Sequence, residues 1–414
     1  MDENEIQVGL IGCGTVGSGV AKILLDDPDT LEKRANRRLK LSGIAVRSPA
    51  KQRFEDVPEE LFTQDAKSLT EDNRIGIIVE VIGGVEPARE LITNALQHGK
   101  HVVTANKEVV AKHGQEFLEL ARQNRVNFYY EAAVCGGIPI IHALKNSLSA
   151  NRIHKVVGIM NGTTNFILSK MYEQQEAFDK MLEKAQELGF AESDPSDDVD
   201  GYDVAYKLAI LSSIAFNSHF PYEKIHFEGI RGISEREIEI ARKLGYVIKL
   251  LAIGHEHEDQ SVELRVHPVM LDEWHPLAGV NGCHNAVYVE GNYVGDTMFY
   301  GPGAGGLPTA SAIVGDVMDI AMQRDTSQTH PSVLTNFSEK KVVNMGEVVS
   351  EYYFRLQVAD QPGVLAAIAN ACGDKGVSLK FVEQRQTDQS NADEDAPDAE
   401  LILITHTVCE EAMQ

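Results

Sequence analysis

Ile6-Gln7-Val8-Gly9-Leu10-Ile11, followed at once by Gly12-Cys13-Gly14-Thr15-Val16-Gly17 and then by SGVAKILLDD over residues 18–27, decides the fold class of this chain. The first six residues are a short apolar run, and Val20, Ile23 and Leu24 return at helical spacing. Strand, GxGxxG turn and helix in that order form the dinucleotide fingerprint in the context it requires. The first two glycines allow a tight turn and a close backbone approach to a pyrophosphate. Gly17 lets helix and strand pack closely, and the helix N-terminus supplies partial positive charge. Gly12, Gly14, Thr15, Val16 and Gly17 are therefore cofactor-binding candidates. The competing explanation is a glycine-rich turn of some other α/β protein.

Moving outward, the next strand spans about Lys40 to Val46. In an NAD-binding fold it should end with an acid that receives the ribose 2′-hydroxyl. Here it ends Ala45-Val46-Arg47-Ser48, and Arg47 can pair with a 2′-phosphate. That favours NADP, or dual use, over strict NAD; an ordinary surface arginine is the rival reading. IGIIVEVIGG (75–84), helix PARELITNALQHG, HVVTANK (101–107) and a strand over 125–130 continue the alternation. The pattern implies a parallel, doubly wound sheet with its ligand crevice beyond the carboxyl ends of the strands. Thr104 and Lys107 stand at such an end, where they can meet cofactor or substrate.

A second informative stretch is ESDPSDDVDGYDVAYK, residues 192–207. Val204, Leu208 and Leu211 repeat at helical spacing, with Asp200 as the expected N-cap. On that helix Asp203 and Lys207 share a face that continues into Ile210, Leu211 and Ile214. A lysine where a wet acidic loop meets an apolar stripe can be desolvated, paired with a carboxylate and used to move a proton. A solvated acidic loop and simple helix-terminus acids compete with this reading. A calcium loop does not: aligning Gly201 with the sixth position puts Ser196 first and Lys207 twelfth, where a bidentate Glu belongs.

The formal net charge of −24 argues against nucleic acid or an anionic membrane as the main partner. Five scattered cysteines without a CxxC pair fit a reducing compartment. The acidic N-terminus is no leader, and no apolar run reaches membrane-spanning length, so a cytoplasmic location is expected. Farther on, HKVVGIMNGTTNFILSKMYE (154–173) reads as strand, polar turn and helix. Asn161, Thr163, Thr164 and Asn165 are donors there, or Thr164 or Asn165 simply caps the helix. Strands between Val247 and Val289 suggest a second sheet carrying subunit contacts. His255 and His257, followed by acids, hint at a metal site, but with no further ligand at proper spacing the stretch reads as a polar hairpin turn. Tyr300 to Gly306 forms a late glycine-rich loop that includes Gly303 and can return to cover the cofactor. Thr309 or Ser311 is the expected cap of the helix behind it. After a polar linker, residues 352–386 read as strand, turn, helix and strand, and ELILITHTV adds one more strand. This begins a ferredoxin-like module that stops inside its second helix.

IGCGTVGSGV, HVVTANK, EAAVCGGIPI, NGTTNFIL, FAESDPSDDVDGYDVAYKLAIL, GPGAGGLPTASA and DQPGVLAAIA, in that order, resemble the monofunctional homoserine dehydrogenases with a C-terminal ACT domain. The resemblance covers nearly the whole chain. It implies an NAD(P)-binding Rossmann domain over 1–135 and an α+β catalytic and dimerisation domain over 136–323, of which 299–323 returns to the cofactor. A linker over 324–347 and a partial ferredoxin-like ACT domain over 348–414 follow. The implied reaction is the reversible interconversion of L-homoserine and L-aspartate 4-semialdehyde in threonine, methionine and isoleucine biosynthesis. Thr163, Glu192, Asp198, Asp203 and Lys207 would surround the substrate, with Glu192 on its ammonium and Lys207 as proton donor oriented by Asp203. Lys107 lies close to the reacting centre in such enzymes and shares or owns the proton step. The resemblance also implies a monovalent cation, usually sodium, at Glu131, Val134, Gly136 and Ile138, threonine as an effector of the ACT module, and a homodimer or homotetramer. Two other readings stay open: an aspartate-semialdehyde dehydrogenase with Cys135 as nucleophile, and a non-catalytic NADP-binding amino-acid sensor.

Overall fold

The apolar run at the N-terminus becomes the strand Glu5–Ile11, third in a six-stranded sheet. The order is Phe62–Thr63, Arg38–Ala45, Glu5–Ile11, Ile75–Glu80, His101–Thr104, Phe128–Tyr129, and all neighbours run parallel. Chain order reverses between Glu5–Ile11 and Ile75–Glu80, which opens the crevice where such sheets take their ligands. Val8, Leu10, Ile77, Val79 and Val103 are fully buried, as a parallel sheet covered on both faces requires. The last strand is shorter than the expected 125–130, because Arg125 takes a left-handed conformation (φ 54°) that closes the helix Lys107–Asn124. This computed structural model describes residues 4–48, 57–323, 338–386 and 399–413. The chain divides into two units, Met1–Lys341 and Val342–Gln414.

The second sheet of the first unit has the order Gly295–Pro302, His284–Gly291, Ile153–Ile159, Tyr246–Glu256, Val262–Asp272, His226–Phe227. It is antiparallel except for its last pair. One face receives the helix Tyr202–Ala215, whose Ser212 lies against Gly254. On the opposite face Val157, Ile159, Leu251, Ile253 and Ala286 pack under Leu277 and Val280. His255 and His257 do stand at a hairpin, between Tyr246–Glu256 and Val262–Asp272.

The sheet also buries a lysine that the sequence reading passed over. Lys249 is fully buried and donates to Val280 O at 2.6 Å and to the Oδ1 atoms of Asn165 and Asn281 at 3.0 Å each. Its ammonium ties the helix Gly162–Gln174 to residues 280–281. Truncation by Lys249→Ala orphans these oxygens and leaves a void, so a loss of about 2–4 kcal/mol is expected in denaturant titration. Burial pushes the ammonium down to about 8 from its ordinary 10.5. Between those values the unfolded chain holds more protons, so the stability gap between wild type and Lys249→Ala should widen as pH rises through that window. A gap that narrows there would contradict the assignment.

The late glycine-rich loop leads into the helix Gly306–Gln323, which packs along the helix Thr15–Asp26. Ala310, Ile313, Val314, Val317, Ile320 and Ala321 join one core with Ile6, Val8, Leu10 and Val20. Because this helix begins at Gly306, Thr309 and Ser311 lie inside it and do not cap it. Helix Ile140–His142 widens into a π-helical turn over Ala143–Ser147.

Of the expected linker, 324–337 falls outside the described residues. Ser338 and Lys341 close the first unit, Ser338 N donating to Asn217 O and Lys341 O accepting from Val262 N. The second unit holds a three-stranded antiparallel sheet in the order Tyr353–Val358, Ala399–Thr405, Leu379–Gln386, with helix Val364–Asp374 following the first strand. That is the sheet order of the first three strands of a ferredoxin-like module. Among the described residues, no helix is long and apolar enough to cross a membrane.

Candidate active site

Gly12 has φ +103°, and a Cβ there would stand 2.8 Å from Val81 O. A Cβ on Gly17 would fall 2.1 Å from Gly12 O. The turn therefore closes this tightly only with glycine at both places. Gly14, by contrast, has open space where a side chain would be, and it precedes the helix Thr15–Asp26 without a side-chain cap. An uncapped helix N-terminus beside an open glycine is what a pyrophosphate needs. Thr15 is exposed and Val16 packs against the core below it. Arg47 is exposed just past the end of Arg38–Ala45.

Thr104 is fully buried, and its hydroxyl donates to Glu80 Oε2 at 2.6 Å. Glu80 also accepts from Ile82 N at 2.8 Å, and burial pushes its carboxyl above the usual range. So Thr104 secures a buried acid at the crevice floor. Sequence reasoning missed Glu80, although an acid closing the apolar strand Ile75–Glu80 was a visible signal.

The two candidate lysines meet on one carboxylate. Lys107 opens the helix Lys107–Asn124, and its Nζ forms an ion pair with Asp203 Oδ1 at 2.6 Å. Lys207 lies one turn beyond Asp203 on the helix Tyr202–Ala215, and its Nζ donates to Asp203 Oδ2 at 2.7 Å and to Met160 O at 2.7 Å. Side-chain exposure separates them: 40% for Lys107, 11% for Lys207 and 2% for Asp203. Burial pushes the Asp203 carboxyl up, but the charges of Lys107 and Lys207 and the Asn161 amide together hold it well below the usual carboxylate range. The Asp203 charge raises Lys107 above an ordinary lysine, against the opposing effect of its burial.

Asn161 completes the cluster. Its Oδ1 accepts from Thr164 N at 2.8 Å, so Asn161 and not Thr164 or Asn165 caps the helix Gly162–Gln174. Its Nδ2 donates to Asp203 Oδ2 at 2.8 Å and to Asp198 Oδ1 at 2.6 Å. Burial and then the neighbouring Asp203 charge raise the Asp198 carboxyl. The expected cap at Asp200 is overturned. Gly201, at φ +93°, occupies that position, and Asp200 ends the preceding turn with its carboxylate on Arg231 at 2.5 Å. NGTTN did carry a signal for Asn161, whereas nothing in the sequence marks the Met160 carbonyl.

The remaining candidates lie around this centre. Thr163 is buried, and its hydroxyl donates to Phe190 O at 2.7 Å. Glu192 is exposed, and the contacts just described do not include its carboxylate. Glu131, Val134, Gly136 and Ile138 are all buried within one turn of chain. The Glu131 carboxylate accepts from Ile141 N at 2.8 Å and His142 N at 2.6 Å, while Asp316 Oδ2 accepts from Glu131 N at 2.9 Å. Burial raises both Glu131 and Asp316, and Asp316 is raised further by the charge on Glu131. Two buried carboxyls beside buried carbonyls suit a small cation. Gly303 packs on this turn: a Cβ at Gly136 would stand 2.6 Å from Gly303 O, and one at Gly303 would stand 2.0 Å from Asn285 Cγ. Cys135 is fully buried, and burial pushes its thiol up to about 11 against the opposing charge of Lys207. A thiol so held is a poor nucleophile.

Comparison with known proteins follows the same division. A family described as homoserine dehydrogenase matches residues 139–318, its NAD-binding domain matches 12–131, and the ACT domain matches 352–413. A homoserine dehydrogenase of Synechocystis sp. is 44% identical over 414 residues, covering 98% of this chain and 93% of that protein. The crystal structure of a homoserine dehydrogenase from Thiobacillus denitrificans superposes with a TM-score of 0.92 at 41% identity, covering 99% of this chain and 93% of the other. A hyperthermophilic archaeal homoserine dehydrogenase in complex with NADPH gives a TM-score of 0.65 at 27% identity, covering 77% of this chain and 98% of the other.

Proposed function

The chain belongs to the homoserine dehydrogenase family, an NAD(P)-dependent oxidoreductase, and from that premise we propose how its own residues perform the reaction. Substrate is L-homoserine or, in the reverse direction, L-aspartate 4-semialdehyde. The observation that carries the reading is the single Asp203 carboxylate shared by Lys107 and Lys207 at 2.6 and 2.7 Å. Bound nicotinamide supplies or takes the hydride. Everything else falls to side chains.

Lys207 protonates the alkoxide oxygen that develops as the aldehyde is reduced. Two of its three N–H groups are held by Asp203 and Met160 O, which leaves one for the substrate. Lys107, more open and bound to the other oxygen of Asp203, steadies the developing alkoxide as a second cation. Asp203 and Asn161 fix both amines, and charge so arranged in advance costs no reorganisation during the reaction. Glu192 and Asp198 take the substrate ammonium, and Thr163 anchors the loop that carries Glu192 through Phe190 O. The alkaline thiol of Cys135 gives the aspartate-semialdehyde dehydrogenase reading no support.

Gly12, Gly14, Thr15, Val16 and Gly17 hold the pyrophosphate, and the late loop carries Gly303 to the same cofactor, reaching the glycine turn at Gly306, where a Cβ would stand 2.9 Å from Thr15 O. Arg47 takes a 2′-phosphate, so NADP is the preferred cofactor. Arg47→Ala should raise the KM for NADPH about tenfold, as loss of a charge-assisted contact would, and leave that for NADH unchanged. Equal effects on both cofactors would return Arg47 to the ordinary surface. A sodium ion held by Glu131, Val134, Gly136 and Ile138 would brace the turn beneath Gly303. Threonine acts at the ACT unit, and the second sheet joins copies into a dimer or tetramer. The direct test is oxidation of NADPH and of NADH by the purified protein given L-aspartate 4-semialdehyde. Cofactor binding without turnover would support an amino-acid sensor instead.

A further inference from the structure

The hairpin at the end of Tyr246–Glu256 gathers chemistry that the dehydrogenase reaction does not use. His255 lies on that strand and His257 just after it, two residues apart, with ring centroids 4.5 Å from each other. The register sets Glu263, on the returning strand Val262–Asp272, directly opposite His255. One ligating atom from each of the three residues lies within 4.8 Å of the others. No spacing along the chain announces this third group. It arrives through strand pairing.

Glu263 is the best-held member. It is 5% exposed, and Arg265 Nη2 grips its Oε1 at 3.0 Å. That leaves Oε2 facing His257 Nε2 at 3.5 Å. The separation is long for a charge-assisted hydrogen bond, which closes to about 2.7–2.9 Å. It is close to the gap of about 3.3 Å between two ligand atoms bonded tetrahedrally to zinc. A carboxylate anchored through one oxygen and presenting the other is the usual form of an oriented metal ligand. The positive Lys155, paired with His255 on one side, is paired with Glu290 on the other, so its charge is offset within the sheet.

We propose that His255, His257 and Glu263 bind a divalent transition-metal ion of the zinc type, with solvent completing the coordination. Imidazole and carboxylate donors in this number suit zinc and its neighbours, not calcium or magnesium. The ion would staple the hairpin, outside the lysine–aspartate centre.

The test uses the full chain, stripped with a chelator and desalted, then titrated calorimetrically with zinc sulfate and optically with cobalt chloride. One equivalent should bind, and the cobalt complex should show visible d–d bands without an intense near-ultraviolet thiolate band. His257→Asn and Glu263→Gln should each weaken binding about tenfold or more. Both variants should keep full dehydrogenase turnover, which also certifies their folding. The proposal is overturned by no binding, by a thiolate band that places the metal on cysteine, or by affinity unchanged in both variants. Should one variant fail to fold, the other decides.

Discussion

Lys207→Ala should lower kcat by about 10²–10⁴-fold, the range a positioned acid–base group supplies, while the Kd for NADPH stays nearly constant. The split is expected because Lys207 reaches Asp203 and Met160 O on the catalytic side, not the glycine turn that holds the cofactor. Loss of a merely structural lysine would lower stability and kcat and raise the Kd for NADPH together. The companion variant Lys107→Ala decides between the two amines. If Lys207→Ala keeps its turnover while Lys107→Ala loses it, the proton belongs to Lys107 and the proposed roles exchange.

Asp203→Asn should be as damaging, for a different reason. The amide keeps the shape but removes the negative charge that both ammonium groups touch, at 2.6 and 2.7 Å. Removing one partner from a buried ion pair costs about 3–5 kcal/mol, so the variant should be markedly less stable as well as inactive. The pH dependence has a definite sign. The folded carboxyl is held below its ordinary value of 3.8, so its contribution is fully present above that value and is lost only as pH falls through the lower folded one. Denaturation of wild type and Asp203→Asn should therefore differ at neutral pH and converge under strong acid. A constant difference across that range would show that the carboxylate's charge is not what matters.

The nucleotide-binding half was legible because its signals are local. An apolar run, three glycines at fixed offsets and a helical stripe all fall within residues 6–27. Asp203 and Lys207 were legible for the same reason, being one helical turn apart. What could not be read is pairing between distant segments. Lys107 reaches Asp203 across two helices, Asn161 ties two carboxylates from another turn, and Glu263 joins His255 only through register. The cap at Asp200 failed on backbone geometry, since Gly201 takes the left-handed conformation and Arg231 claims the acid. Lys249 was overlooked because a charged residue in an apolar strand reads as exposed unless its buried oxygen partners are known.

The helix Gly306–Gln323 belongs by packing to the strand made first, Glu5–Ile11. A ribosome producing this chain therefore delivers the nucleotide-binding sheet long before the segment that seals it. Ile6, Val8, Leu10 and Val20 remain unsealed on that side until residue 323 has left the exit tunnel. Assembly of the cofactor half is thus completed late in synthesis, after a long interval in which part of its apolar surface has no cover.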